Sequence, residues 1–226
     1  MRFEDCAWMD VENYLQNDDR VMIVLGSTEQ HGYLSLLSDV RIPQALADAA
    51  SKISGVIVAP SLNFGVAPYF LSFPGTISLQ VTTLVSVVHD VIHSLYLNGF
   101  RRILVLNGHA GNEAAKQTLA EACNRFEGLK TSWYSWWQSH SVEQIAVEIG
   151  MKPAHANWLE AFDFNKVGEI PPGSKDPVEI KGVMGAVQAR ELLGDGVFGG
   201  EYQAGEVVMD AIFQAALKDI LYLLEF

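Results

Sequence analysis

Short β-branched apolar runs alternate along this chain with longer stretches of helical periodicity, the pattern of βαβ units feeding a mostly parallel sheet. Val21–Leu25, Val56–Ala59, Ile103–Leu106 and Lys130–Trp133 read as strands. Between them, Pro43 opens a helix to about Ile53, and Thr82 or Thr83 caps one that stops at Asn98-Gly99, a left-handed C-terminal signal. Asn112 opens a third helix. A final amphipathic helix from about Gly205 to Leu224 is expected to cover one face, and Asn165–Pro177, ending in PPGSKDP, reads as an irregular loop. No repeat, low-complexity segment or linker divides the chain. Its 226 residues read as one α/β domain, residues 1–226.

Polar residues interrupt the apolar pattern in two segments. VMIVLGSTEQHGYLSLLSD (Val21–Asp39) delivers Glu29 and His31 two positions apart and Asp39 after a short loop, while ILVLNGHAGN (Ile103–Asn112) delivers His109 in a glycine-flanked turn. In extended backbone, residues i and i+2 share a face, so Glu29 and His31 address one cavity. Both segments follow apolar strands, and ligands in open parallel sheets gather beyond the strands' carboxyl ends. Carboxylate mixed with imidazole suits Zn, Mn or Fe. Taken singly, Glu29 is a surface carboxylate, His31 a loop histidine and Asp39 a helix N-cap. Four such residues at two strand ends favour a metal site.

The remaining features narrow the field. About half of the residues are apolar, enough for one sizeable core, and the net charge is −12 with no Lys/Arg run to track a phosphate backbone, which excludes nucleic acid as partner. Leu84–Leu97 is the longest apolar helical stretch; His89, Asp90 and His93 break it, and it is too short for a membrane span. The opening MRFEDCAWMD lacks the basic and apolar regions of an export signal, and Cys6 and Cys123 are isolated, so a cytoplasmic protein with reduced thiols is expected. His89 and His93 have the i, i+4 spacing of helical zinc ligands but no third partner nearby, and read as packing or surface residues. In SWYSWWQ, Trp133, Tyr134, Trp136 and Trp137 read first as core or subunit interface, and second as a wall for a flat substrate.

GSTEQHG followed by an Asp, then FPGTISL, NGFRRILVLNGHAGN and HANWLE, resemble the creatininase family over about residues 20–160. The resemblance implies a three-layer α/β/α sandwich, a metal-dependent amidohydrolase and a homo-oligomer, a hexamer in that family. It implies one metal on Glu29, Asp39 and His109, and a second on His31 and a bridging Asp39. Creatininase itself has a Glu two residues after the NGH histidine, where this chain has Gly111. Glu160 is therefore the candidate for the missing ligand, since HANWLE resembles the HAGxxE segment of members that also lack that Glu. His155, five residues earlier, is assigned as general acid. Two divalent ions, Zn ahead of Mn or Fe, would share a water about 3.5 to 4 Å-spaced sites can ionise, and the bridging hydroxide would attack an amide carbonyl. Asn107 and Asn112 shape the turn or cap the helix. Ala67, Tyr69 and Phe70 stand where many members carry a Ser and a Glu-His pair, and Asp39 comes one residue sooner than in creatininase, which turns the expectation away from creatinine. The expected reaction is hydrolysis of a non-peptide C–N bond in a small linear or cyclic amide or formamide. The alternatives are a peptidase-like member acting on a short modified peptide, and a non-catalytic metal- or ligand-binding protein, which Gly111 keeps open.

Overall fold

A computed structural model describes residues 1–226. In chain order the helices and strands are α1 (Trp8–Leu15), β1 (Arg20–Leu25), α2 (Ser38–Ser54), β2 (Ile57–Val58), α3 (Val81–Asn98), β3 (Arg102–Asn107), α4 (Lys116–Arg125), β4 (Lys130–Ser135), α5 (His140–Glu148), β5 (Ser174–Lys175), α6 (Ala186–Leu193), β6 (Gly200–Glu201) and α7 (Glu206–Leu223). The main sheet has the order β2-β1-β3-β4 with every pairing parallel, and Leu25 of β1 lies in register with Asn107 of β3. β5 and β6 form a separate antiparallel pair.

Alternation along the central strands divides the apolar residues between two cores. Met22, Val24, Leu104 and Leu106 face a core built with α2, α5 and α7. Val21, Ile23, Leu25, Ile103 and Val105 face the other, built with α3 and α4. Burial on both faces is what a parallel sheet covered by helices requires, and it explains why these strands are continuously apolar. The result is the expected three-layer α/β/α sandwich.

Several boundaries differ from expectation. α2 begins at Ser38, five residues before Pro43, because Pro43 is accommodated inside the helix. A proline there leaves the carbonyl of residue i−4, Asp39, without its intrahelical partner. Gly26 and Gly108 pack against that carbonyl: a Cβ would fall 2.5 Å from it at Gly26 and 1.8 Å at Gly108. The two glycines let the ends of β1 and β3 approach the first turn of α2. Asp39 lies in that turn rather than capping it. α3 starts from Gln80, not from Thr82 or Thr83, and ends at Gly99 (φ 111°) as read from the sequence. Asn112 falls in a 3-10 turn, Ala110–Ala115, and α4 starts only at Lys116. α7 starts after Gly205 as expected. The short helices α1, α5 and α6 were not anticipated. No helix is long and apolar enough to cross a membrane.

Chain connectivity fixes where a site belongs. β1 continues to β2 on one side, while its other neighbour, β3, is reached only after crossing back. This makes the β1/β3 boundary the switch point, where the loops leaving adjacent strands part and open a crevice.

Candidate metal centre

The loop after β1 brings Glu29 and His31 into that crevice, the first turn of α2 brings Asp39 and the turn after β3 brings His109, all of them buried. Asp39 stands at the middle. Its Oδ1 is 3.0 Å from His31 Nε2, and its Oδ2 is 2.9 Å from His109 Nδ1. Ser27 Oγ, not anticipated from the sequence, donates to the same Oδ2 at 2.8 Å. Glu29 Oε1 is 3.3 Å from His109 Nδ1. Glu160 Oε2 lies 3.8 Å from His31 Nε2 and accepts the Ala156 N–H at 2.7 Å.

Three sets of ligand atoms lie close enough to hold an ion: Glu29, Asp39 and His109; His31, Asp39 and Glu160; and Glu29, His31 and His155. The first two share Asp39 and together contain all five residues singled out as ligands. The third brings His155, with Nδ1 3.8 Å from Glu29 Oε1, nearer to the cluster than its assignment as general acid requires.

The imidazoles are oriented by groups behind them. His109 Nε2–H donates to the Val66 carbonyl at 2.8 Å, which turns Nδ1 toward the carboxylates. The Val66 N–H in turn donates to Asn112 Oδ1 at 3.3 Å, and Asn112 Nδ2 donates to the Gly26 carbonyl at 3.0 Å. Asn112 is thus a buried clamp joining the ends of β1 and β3 to the Val66 segment. Asn107 Oδ1 accepts the His109 N–H at 3.2 Å, the turn-shaping part read for it. His155 stacks on Phe70 (4.7 Å, 13°) with Nε2 3.1 Å from the Gln30 carbonyl. Gln30 itself was not anticipated; it braces His155 and bonds to the Gly196 carbonyl. Its place between Glu29 and His31 in the motif is the one sequence signal that could have found it.

The electrostatics are those of a site overloaded with negative charge. Burial opposes charge on both ligand imidazoles, yet Asp39 and Glu160 raise the His31 pKa to about 10, and Glu29 and Asp39 hold His109 well above the ordinary range. Burial pushes Glu160 up to about 7 and raises Glu29 as well. Despite burial, His31 and His109 keep Asp39 below the usual carboxylate range. Burial and the neighbouring His31 lower His155, which favours its neutral form. Glu29 Oε2 is buried without any hydrogen-bond partner. Two buried carboxylates, one with an unpaired oxygen, and the partly buried Glu160 form a donor set that divalent cations satisfy.

Gly111 occupies a spot closed to side chains. A Cβ there would meet the Val66 carbonyl oxygen at 1.9 Å and His109 Nε2 at 2.6 Å. The decoy pair resolves as packing: His93 stacks on Phe126 (5.0 Å, 6°) and His89 lies at 6.1 Å from His93. Of the SWYSWWQ aromatics, Tyr134 and Trp136 are core, whereas Trp137 lines the cavity in front of the cluster.

Comparison with known proteins identifies the family and the fold. The family model described as creatinine amidohydrolase matches residues 4–224. Creatinine amidohydrolase of Pseudomonas putida is 34% identical over 207 residues, 78% of this chain and 79% of that protein. A mycofactocin precursor peptide peptidase of Mycolicibacterium smegmatis is 34% identical over 120 residues, half of this chain and 48% of that protein. Among solved structures, a manganese creatininase superposes with a TM-score of 0.78 at 22% identity, covering 99% of this chain and 97% of that one. A Zn-Zn type creatininase mutant gives 0.80 at 21% identity, covering 99% and 96%. Matched along nearly its whole length, the chain belongs to the creatininase family of metal-dependent amidohydrolases.

Proposed function

We propose that this protein holds two divalent ions on Glu29, Asp39 and His109 and on His31, Asp39 and Glu160, and hydrolyses a non-peptide C–N bond in a small linear or cyclic amide or formamide. The observation that carries the reading is the pair of three-residue clusters sharing Asp39, with a buried, unpaired oxygen on Glu29. Zinc is the first choice and manganese or iron the next, given the mixture of imidazole and carboxylate. When bound, such ions supply Lewis-acid polarisation of the carbonyl and a water ionised near neutral pH.

The rest falls to the chain's own groups. The carboxylates Glu29, Asp39 and Glu160 set the charge that retains the cations. The Val66 carbonyl keeps the His109 proton on Nε2 and so keeps Nδ1 free to ligate. His155, at the edge of the cluster and favoured as the neutral imidazole, takes a proton from the attacking water and returns it to the departing nitrogen. Apolar walls around the cluster restrict water and strengthen each of these interactions. Cleavage of a short modified peptide at the same site is the second reading, favoured by the likeness to the mycofactocin precursor peptide peptidase over half the chain. Assembly of copies belongs to the same proposal, supported by the exposed apolar side chains of Trp8, Met9 and Leu97; a cytoplasmic setting for it rests on the isolated, free Cys6 and Cys123.

Metal content per chain, measured by elemental mass spectrometry on protein purified without a metal-affinity tag, tests this directly. About two equivalents in the parent, about one in Glu160→Ala and none in Asp39→Ala or His109→Ala are expected. Full occupancy in Asp39→Ala or His109→Ala sinks the site, and two equivalents in Glu160→Ala remove Glu160 from it.

A further inference from the structure

The cluster opens into a cavity of about 540 Å³, within the range that takes a drug-sized molecule. Outside the cluster its walls are apolar or aromatic, chiefly Tyr69, Phe70, Trp137, Leu159, Ile180 and Phe198. The Tyr69 hydroxyl and the Trp137 indole N–H are the only polar side-chain groups among them, and no Lys or Arg contributes. Any charge carried by a substrate away from the scissile bond would therefore lie against hydrocarbon with no counter-ion. Such burial is unfavourable unless the charge is paired. The aromatic part is also pre-organised: Phe70 is fixed by its stacking on His155, and Phe198 meets Phe70 edge-on with centroids 6.1 Å apart.

We infer that the substrate is an amide uncharged away from its scissile bond, with a flat apolar or aromatic group beside that bond, such as an aryl amide or an arylformamide. This rests on the metal-site reading above, and fixes the other half of the substrate. Carboxylate-bearing and amino-acid-like amides are selected against by the walls. Small polar amides of formamide size leave the cavity largely unfilled.

The test separates the wall from the metals. Three hydroxamates share one metal-seeking head: acetohydroxamate, benzohydroxamate and 4-carboxybenzohydroxamate. Calorimetric titration of the metal-loaded protein is expected to show benzohydroxamate binding at least tenfold more tightly than either of the others. In Trp137→Arg, with its fold checked by circular dichroism, the preference for benzohydroxamate over the carboxylate is expected to shrink at least tenfold. Equal affinity of all three, or tighter binding of the carboxylate by the parent, overturns the inference; absence of binding by all three overturns it together with the metal site. Turnover of formanilide, 4-formamidobenzoate and formamide is followed in parallel. Tight aryl binding with no hydrolysis of any of them removes the hydrolase reading and leaves the pocket assignment standing. Hydrolysis of 4-formamidobenzoate or formamide as fast as formanilide overturns the pocket assignment alone.

Discussion

Replacing Gly111 with glutamate introduces the residue that the resemblance to creatininase leads one to expect there, and the structure predicts harm rather than repair. The new Cβ would lie 1.9 Å from the Val66 carbonyl oxygen, while ordinary contact begins at 3.4 Å, so the carbonyl must retreat by 3.4 − 1.9 = 1.5 Å. It is not free to do so, because it accepts the His109 Nε2–H at 2.8 Å and its own residue is tied to Asn112. Breaking the His109 bond leaves a buried donor unpaired, about 1–3 kcal/mol, and overpacking adds roughly 1–3 kcal/mol. The sum of about 2–6 kcal/mol corresponds, at about 2–4 °C per kcal/mol for a chain of this size, to a Tm loss of roughly 4–24 °C. With the His109 tautomer no longer fixed, metal affinity is expected to fall about 10–100-fold, as for other losses behind a ligand histidine. Scanning calorimetry and titration against a chelator read the two effects, and Gly111→Ala, which shares the offending Cβ, is expected to show most of the Tm loss. A Tm within about 2 °C of the parent, or a gain in metal affinity, refutes the argument.

Asn112→Ala strips partners from the Val66 N–H and the Gly26 carbonyl, two buried groups at about 1–3 kcal/mol each, so urea unfolding should show a loss of about 2–6 kcal/mol; an unchanged midpoint would count against the clamp. His155→Gln is expected to lower kcat by roughly 10²–10⁴ while both metal equivalents stay bound, the range for losing a general acid. Loss of one equivalent would make His155 a ligand instead, consistent with its place near Glu29 and His31. Asp18 is held below the usual carboxylate range: burial works the other way, but hydrogen bonds from Arg20 and the charge of Arg102 outweigh it. Its folded pKa is depressed, so its contribution to stability is complete above the unfolded value of about 3.9 and is lost as pH falls through the folded one. Asp18→Asn should therefore lower Tm at pH 6 and flatten the fall in Tm below about pH 4; a parallel acid limb in both proteins would dismiss this role.

The central strands β1 and β3 were legible because each is buried on both faces and so reads as an unbroken apolar run; the two-residue strands β5, inside the segment read as an irregular loop, and β6 carry no such pattern. α7 was legible because its length lets periodicity accumulate. The shorter α1, α5 and α6 carry too few turns for that, and α5 is set by a local device, the Ser139 side chain accepting the Ser141 and Val142 N–H groups. The start of α2 was misplaced because proline suits a first turn, whereas here Pro43 sits past it. The motif residues were visible as polar breaks in apolar sequence; Ser27, Gln30 and the Val66 carbonyl were not. They serve through hydrogen bonds to residues far along the chain or through a backbone atom that any residue could supply.

The route by which Glu160 reaches the cluster was also hidden. On a regular helix, residues 155 and 160 lie five positions apart and point well away from each other. Instead Ala156 adopts φ 61°, a left-handed conformation that costs a non-glycine residue, and Asn157 caps a single 3-10 turn, Trp158–Glu160, by accepting the Leu159 N–H. The reversal returns the Glu160 carboxylate onto the Ala156 N–H and toward His31. It also leaves His155 stacked on Phe70. The strain at Ala156 thus has an identifiable use, since it brings both an acid and an imidazole beside His31 from a segment only six residues long. With position 111 closed by the Val66 carbonyl, a carboxylate entering from this distant loop is what completes the second cluster, and the departure at Gly111 and the turn at Ala156 are two parts of one solution.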